Sequence, residues 1–253
     1  MRCFKTILIA LLLCPIAIAA QGWNDNTYKQ IEQRVKQPEF ANRSFVITKY
    51  GAGINLSAAK NQIAINKAIL SCSKAGGGKV IVPSGTWNTG AITLKSNVNL
   101  VVEKGAHIIF AFDTSLYPIV KTRWEGMDCM NYQPCIYAYG EKNIAITGEG
   151  TIDGNGSVKT WWKMCGKDWF KANEKVTENQ NIGRPKLFEF VENGTPIEKR
   201  NMKGLGMRPQ LINLYKCEGI LIENVTLLNS PFWVMHPLLS KNITVKGVKV
   251  WNN

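Results

Sequence analysis

The sequence predicts an all-β protein folded as a right-handed parallel β-helix, a solenoid in which one sheet coils around a single core. Short runs of alternating apolar residues recur along the chain, at 97–102, 143–146, 219–227 and 242–250. Matching positions in the last two runs, Ile220 and Ile243, stand 23 residues apart, and Gly or Asn kinks flank the runs. A fixed period of this length, with no helix in between, is typical of a coiling parallel sheet.

Stacked coils are needed because one coil cannot bury its own apolar face. We therefore expect Ile144, Ile220 and Ile243 to form one column. Val98 and Ile144 are 46 residues apart, which predicts two coils. The 76 residues from Ile144 to Ile220 predict three coils and an insertion at about residues 155–208. A meander of antiparallel hairpins is the alternative fold, but it predicts no fixed long period.

One clear helix precedes these runs. Ser57 is a suitable N-cap, and three glycines at 76–78 end the helical pattern. The apolar positions between them follow the i, i+3, i+4, i+7 spacing of a helix face: Ile65, Ala68, Ile69 and Cys72. We expect this helix to cover the N-terminal end of the stack, where strand edges would otherwise be exposed.

The N-terminus has the pattern of a secretory signal peptide over residues 1–20. Arg2 and Lys5 precede an apolar stretch that ends in small residues. A membrane anchor is the alternative, but about 15 apolar residues are short for spanning a bilayer. The sequence thus predicts a secreted or periplasmic protein without a membrane span after signal removal. A polar leader at 21–43 and the β-helix domain at 44–253 follow.

The charge of the chain is strongly positive. The formal net charge is +13 at pH 7. Such a surface favours polyanionic partners, and export makes an acidic polysaccharide a better candidate than nucleic acid. A solvated basic surface without a specific partner is the simpler reading.

Five cysteines remain beyond the predicted signal peptide, an odd number that cannot pair completely. Cys129 and Cys135 are close enough in sequence to pair across a loop. Cys217 lies among strand residues and is expected to be a small buried apolar group. No CxxC motif occurs, so zinc is not expected. We predict no metal and no cofactor.

Several segments together resemble glycoside hydrolase family 28, the polygalacturonase-like enzymes, and in particular their secreted bacterial branch. They are Tyr50–Ala52, 76–85, 144–156 with Trp161 and Trp162, and Asn229–Trp233 with His236 and Pro237. The resemblance runs from about Phe45 to Asn253. It implies a right-handed β-helix and a secreted glycosidase of carbohydrate metabolism that degrades pectin, hydrolysing galacturonan with inversion.

The catalytic segments of that family do not occur in this chain. The family uses Asn-x-Asp, Asp-Asp, Gly-His-Gly and Arg-x-Lys segments, and none can be matched within the β-helix region. The resemblance therefore implies the N-terminal portion of such an enzyme, inactive by itself, with the later coils and catalytic Asp residues missing. Asp153 precedes Gly154 as in a turn, and Asp128 has no evident partner. We assign no catalytic residue.

Three residues are candidates for substrate binding: Trp233, His236 and Arg123. Trp233 offers an apolar face to a pyranose ring, and His236 can donate a hydrogen bond. Arg123, in a long loop, could grip a uronate carboxylate. Core packing, a structural hydrogen bond and a surface arginine are the respective alternatives.

The 23-residue period also predicts which residues align below this segment. It places Gln210 beside Trp233, and Asn213 beside His236. The insertion contains four aromatic residues, which either stack on sugar rings or pack the loop onto the body of the β-helix. They are Trp161, Trp162, Trp169 and Phe170.

Two other functions stay open besides the hydrolase. The first is a non-catalytic β-helix that binds an acidic polysaccharide. The second is a pectate lyase, which would need a cluster of carboxylates for calcium.

Overall fold

The computed structural model describes residues 25–166 and 178–252. The predicted signal peptide, Trp169 and Phe170 lie outside the described residues. The chain divides into two units, residues 1–35 and 36–253. In the first unit, Asp25–Arg34 form helix α1, so the predicted leader is not wholly irregular. Within the described ranges, no helix is long and apolar enough to cross a membrane.

The second unit contains two α-helices and seventeen strands among its described residues. The helices are α2 (Ala58–Lys74) and α3 (Gln180–Glu192). The strands in chain order are β1 (Ser44–Val46), β2 (Gly78–Val82), β3 (Gly85–Thr89), β4 (Ile92–Thr93), β5 (Val98–Val102), β6 (Ala106–Phe110), β7 (Ile119–Trp124), β8 (Met127–Tyr132), β9 (Ile136–Tyr139), β10 (Lys142–Thr147), β11 (Thr151–Asp153), β12 (Ile212–Tyr215), β13 (Glu218–Glu223), β14 (Thr226–Leu228), β15 (Met235–Leu238), β16 (Lys241–Lys246) and β17 (Lys249–Trp251).

Fifteen of these strands form three parallel sheets that the chain visits in turn. The first sheet has the order β1-β2-β5-β10-β13-β16, the second β17-β14-β11-β6-β3, and the third β15-β12-β9-β4. From β2 onward the chain passes from first to second to third sheet and back again, so every circuit adds one coil. The predicted right-handed parallel β-helix is confirmed. The prevailing hand of parallel crossovers is the same.

The stacking prediction is confirmed, but two of the coil counts were wrong. Ile144 pairs with Ile220, and Ile220 pairs with Ile243, as the period predicts. However, Ala145 pairs directly with Asn99, so the 46-residue interval is one coil. The 76-residue interval is also one coil. A coil can include an excursion, that is, a loop or hairpin between two of its strands, without adding a layer to the stack. The number of residues between two paired strands therefore does not give the number of coils.

The two excursions differ in structure. The 46-residue coil carries an antiparallel hairpin, β7–β8. In the 76-residue coil, the predicted insertion holds a 3₁₀ helix at Trp161–Cys165 and helix α3.

Helix α2 covers the first coils, as predicted. The Ser57 Oγ accepts from the Lys60 backbone N–H at 3.5 Å, and the N–H of Gly77 donates to the Cys72 carbonyl beyond the last turn. Its buried face joins the main core through Ala64, Ile65, Ala68, Ile69 and Cys72.

The five cysteines that the structure describes are all buried and unpaired. The pairing considered for Cys129 and Cys135 does not form. The reason is that Cys135 belongs to the main core, whereas Cys129, on strand β8, belongs to a smaller separate cluster. Cys217 is a buried core residue, as predicted.

Candidate functional site

The candidate site lies on the outer face of the third sheet. Because side chains alternate along a strand, β12 directs Ile212 and Leu214 into the main core and Asn213 and Tyr215 outward. Register places Thr93, Tyr137, Asn213 and His236 in one outward column. The predicted alignment of Asn213 with His236 is confirmed. The predicted alignment of Gln210 with Trp233 fits the same register, since the Leu211 N–H donates to the Trp233 carbonyl at 2.9 Å.

The hairpin β7–β8 covers much of this outer face. It reverses at Glu125 and Gly126, whose φ angles of 44° and 89° suit a tight two-residue hairpin turn. The Tyr137 hydroxyl donates to the Lys121 carbonyl at 2.6 Å. Because the hairpin lies over it, the phenolic side chain of Tyr137 is buried although it points away from the coil.

Arg123 lies on strand β7 of this hairpin, not in a loop as the sequence suggested. Its Nε donates to Asp128 Oδ1 at 2.7 Å, and the Tyr215 hydroxyl donates to the same oxygen at 3.0 Å. Asp128 is therefore not a lone carboxylate. Among the described residues, no hydrogen bond engages the terminal amino groups of Arg123.

These contacts shift the titration of all three groups. Burial by itself would raise the pKa of Asp128, but hydrogen bonds from Arg123 and Tyr215 outweigh it and lower that pKa. The hydrogen bond to Asp128 raises the pKa of Arg123. Burial, followed by donation to Asp128, raises the pKa of Tyr215 to about 12. Asp128 is thus held as an anion that accepts hydrogen bonds from Arg123 and Tyr215.

Trp233 ends a stack of three aromatic rings. Phe232 stacks on Trp124 with centroids 4.8 Å apart, and Trp233 stacks on Phe232 at 5.0 Å. His236 meets Trp233 nearly at right angles, with ring centroids 4.6 Å apart. Trp124 is fully buried, whereas Trp233 remains 38% exposed. The stack therefore supports an aromatic surface that solvent can reach.

His236 is half-buried beside Trp233 and held by the strand below. The Asn213 Nδ2 lies 3.1 Å from His236 Nδ1 and 2.8 Å from its carbonyl oxygen. Burial, and then the positive charge of Arg123, lower the pKa of His236. The structure thus brings together all three residues named from the sequence.

Arg208 is a residue of this region that sequence reasoning missed. It is 8% exposed, and it donates to the Pro231 carbonyl at 3.0 Å and to Gln180 Oε1 at 2.9 Å. Its guanidinium carbon lies 5.2 Å from the centre of the Phe232 ring. Burial lowers the pKa of this arginine. It joins helix α3 to the turn that carries the aromatic stack. The available signal was the 23-residue period, which aligns Arg208 with Pro231.

Asp128 and Tyr215 were also missed, although one signal was available. Glu125-Gly126 separates two strand-like runs, a pattern that suggests a hairpin. A hairpin would have placed Arg123 opposite Asp128, as the structure does.

The other sequence candidates have structural roles. Trp161 is fully buried and meets Phe112 and Tyr117 edge to face, so it packs the insertion onto the body. Asp153 Oδ1 accepts the backbone N–H of Asn155 at 2.7 Å, as expected in a turn.

The groups at the site limit the chemistry that it can support. In the described part of the chain, no group of three or more His, Cys, Asp or Glu residues could hold a metal ion. Inverting glycosidases need two carboxyl groups about 6.5–9.5 Å apart. Asp128 is the carboxylate at this site, and it is already bound to Arg123 and Tyr215. The arrangement offers an aromatic face, an imidazole and a guanidinium.

Comparison with known proteins places this geometry in context. No protein-family model matches the chain. It is 29% identical over 207 residues to a "Probable polygalacturonase" of Vitis vinifera, covering 78% of this chain and 35% of that protein. It is 27% identical to an "Exo-poly-alpha-D-galacturonosidase" of Dickeya chrysanthemi, covering 80% of this chain and 35% of that protein.

Solved structures agree with these relatives. An exopolygalacturonase from Thermotoga maritima superposes with a TM-score of 0.81 and 35% identity, over 88% of this chain and 50% of that one. The chain thus spans about a third to a half of the length of these three proteins. Over that length, the resemblance to the polygalacturonase-like proteins of glycoside hydrolase family 28 that the sequence indicated is confirmed.

Proposed function

We propose that the chain forms part of a secreted or periplasmic glycoside hydrolase that hydrolyses galacturonan in pectin with inversion. The observation that carries this proposal is the partly exposed Trp233–His236 surface on a β-helix that matches an exopolygalacturonase over 88% of its residues. The predicted signal peptide supports export. In this proposal, residues 1–253 supply one wall of the cleft and are inactive alone, because they contain none of the family's catalytic segments.

The last coil is consistent with this proposal. Ile243 and Val245 are 36% and 46% exposed, whereas their register partners Ile220 and Ile222 are buried. Val250 on β17 is 42% exposed, whereas its partner Leu227 is buried. Further coils in a longer protein would bury these side chains. Carboxylates on the third sheet of the next coil would then stand about 4.8 Å above the outward column that contains His236.

Trp233, His236 and Arg123 are proposed to contact the sugar. Trp233 offers a ring face to the apolar side of a pyranose, and His236 lies at its edge. Arg123 has Nε committed to Asp128. Its terminal amino groups would be the part that reaches a uronate carboxylate. The excess of basic residues, with a net charge of +13, favours an anionic polymer.

A ligand titration tests the binding part of the proposal. Tri- to hexagalacturonate is added to the chain and binding is followed by calorimetry, with neutral malto-oligosaccharides as controls. We expect Trp233→Ala to weaken galacturonate binding about tenfold, or about 1.4 kcal/mol. Trp251→Ala, which removes a tryptophan that is 66% exposed on the second sheet, is the matched control. Equal effects of the two variants would remove Trp233 from the site.

The catalytic part needs a protein that extends beyond residue 253. A longer protein with two carboxylates on the third sheet should release reducing ends from polygalacturonate, with inverted anomeric configuration by NMR. The alternative, a non-catalytic galacturonan-binding β-helix, predicts retained binding without any release of reducing ends.

A further inference from the structure

Asn213 is a buried polar residue directly below His236 in the stack. The two residues are register partners on adjacent coils, and Asn213 has no solvent exposure. A buried amide is costly unless its polar atoms are paired. The partners of Asn213 therefore define its role.

Two contacts fix the orientation of the Asn213 amide. Its Nδ2 lies 2.8 Å from the carbonyl oxygen of His236, and its Oδ1 lies 3.2 Å from the Thr122 hydroxyl. A carbonyl oxygen can only accept, so the amide atom beside it must be the NH₂ group. The oxygen then faces Thr122, whose hydroxyl donates to it.

The same NH₂ group determines which nitrogen of His236 carries a proton. It has a second hydrogen, and His236 Nδ1 lies 3.1 Å from Nδ2. An amide NH₂ donates, so Nδ1 must accept and cannot carry a proton. In a neutral imidazole the other nitrogen is then the donor. Within the described residues, His236 Nε2 has no hydrogen-bond partner.

The surrounding charges act in the same direction. Burial and the charge of Arg123 on β7 lower the pKa of His236. Asp128 on β8 is bound to Arg123, and β9 and β12 contribute the phenols of Tyr137 and Tyr215. The Asp128 carboxylate is thus engaged by donors other than His236.

We propose that Asn213 is a positioning residue that holds His236 as the neutral tautomer with its proton on Nε2. The wall then offers a neutral hydrogen-bond donor, suited to a sugar hydroxyl or ring oxygen, and not a cation suited to a carboxylate. The role in sugar binding rests on the proposed function, whereas the tautomer is a property of the free protein. Failure of one is therefore distinguishable from failure of the other.

Nitrogen-15 NMR of the histidine rings tests the proposal without any ligand. The chain has two histidines, His107 and His236, so His107→Gln assigns both sets of signals. We expect the His236 signals at neutral pH to show Nε2 protonated and Nδ1 bare. A majority of Nδ1-protonated His236 would overturn the proposal.

Asn213→Asp is the decisive variant. A carboxylate accepts and cannot donate, so we expect the proton to move to Nδ1 and the pKa of His236 to rise. Asn99→Asp is the matched control. Asn99 is an 8% exposed asparagine of the first sheet, and its Oδ1 accepts a hydrogen bond from the Thr147 hydroxyl. This control should leave the His236 tautomer unchanged. An unchanged tautomer and pKa in Asn213→Asp would reject the positioning role.

A second measurement needs no variant at Asn213, in case Asn213→Asp fails to fold. If Asn213 Nδ2 donates to His236 Nδ1, a scalar coupling between these two nitrogens crosses the hydrogen bond. We expect this coupling in the wild-type chain. Its absence in well-resolved spectra would overturn the inference.

Discussion

Strand β12 has two buried faces that are buried by different means. Ile212 and Leu214 point into the coil, where residues of neighbouring coils cover them. Asn213 and Tyr215 point away from the coil and are equally inaccessible, because the hairpin β7–β8 lies over them. The inner face depends on apolar area, whereas the outer face depends on paired polar atoms. The stacked coils therefore form the scaffold, and the hairpin β7–β8, an excursion from one coil, completes the site.

Substitutions on the inner face of β12 should destabilise the protein more than substitutions on its outer face. Leu214→Ala removes a fully buried side chain and leaves a cavity in the stack. We expect a loss of about 2–5 kcal/mol in the free energy of unfolding, measured by urea denaturation. Leu70→Ala on helix α2, where leucine is 45% exposed, should cost less than about 0.5 kcal/mol. Similar losses in both variants would contradict the assigned orientation of β12.

The strongest contact of the outer face should come next. Tyr215→Phe removes the hydroxyl that donates to the charged Asp128. Hydrogen bonds to charged groups contribute about 1.5–3 kcal/mol, so we expect a loss of that size by chemical denaturation. Tyr139→Phe, one coil below and 40% exposed, is the control and should be close to neutral. A stability equal to wild type in Tyr215→Phe would show that Asp128 does not need this donor.

A neutral contact between hairpin and coil should matter less. Thr122→Val keeps the shape of the side chain but removes the hydroxyl that donates to Asn213 Oδ1. Because that oxygen is buried, we expect a loss of about 1 kcal/mol, measured by chemical denaturation. If hairpin and coil were held by apolar packing alone, the valine variant would be as stable as wild type or more so.

The smallest effect is the pH dependence of stability that His236 contributes. Folding lowers the pKa of His236 from its ordinary value of 6.5, so the unfolded chain binds more protons in this range. The contribution is complete above pH 6.5 and is lost as the pH falls through the lowered pKa. We expect the melting temperature to decrease between pH 7 and pH 5, with a smaller decrease in His236→Asn. Values at pH 8 and 9 are the internal control, because His236 is neutral in both states there.

The interior of the coil could be predicted well from the sequence. Alternating runs with a 23-residue spacing identified the columns, and they placed Asn213 beside His236. Ser57 and the i, i+3, i+4, i+7 pattern located helix α2. These features are either local or repeated at a fixed spacing, so they can be recognised in the sequence without the tertiary structure.

The surroundings of the site could not be predicted in the same way. Arg123 acquires Asp128 through a hairpin turn, and Tyr215 reaches that pair from 87 residues away. Arg208 donates to Gln180 of helix α3, 28 residues earlier in the chain. No periodicity links such residues, because each comes from an excursion whose length is free of the repeat.

The sequence by itself determined the fold class, the capping helix, the stacking register and the resemblance to polygalacturonases. Tertiary structure alone decided that the 46- and 76-residue intervals are single coils, and that the hairpin of the first covers the third sheet. The physical reason is that apolar alternation records which face of a strand is buried. It does not record whether a neighbouring coil or a distant loop buries it.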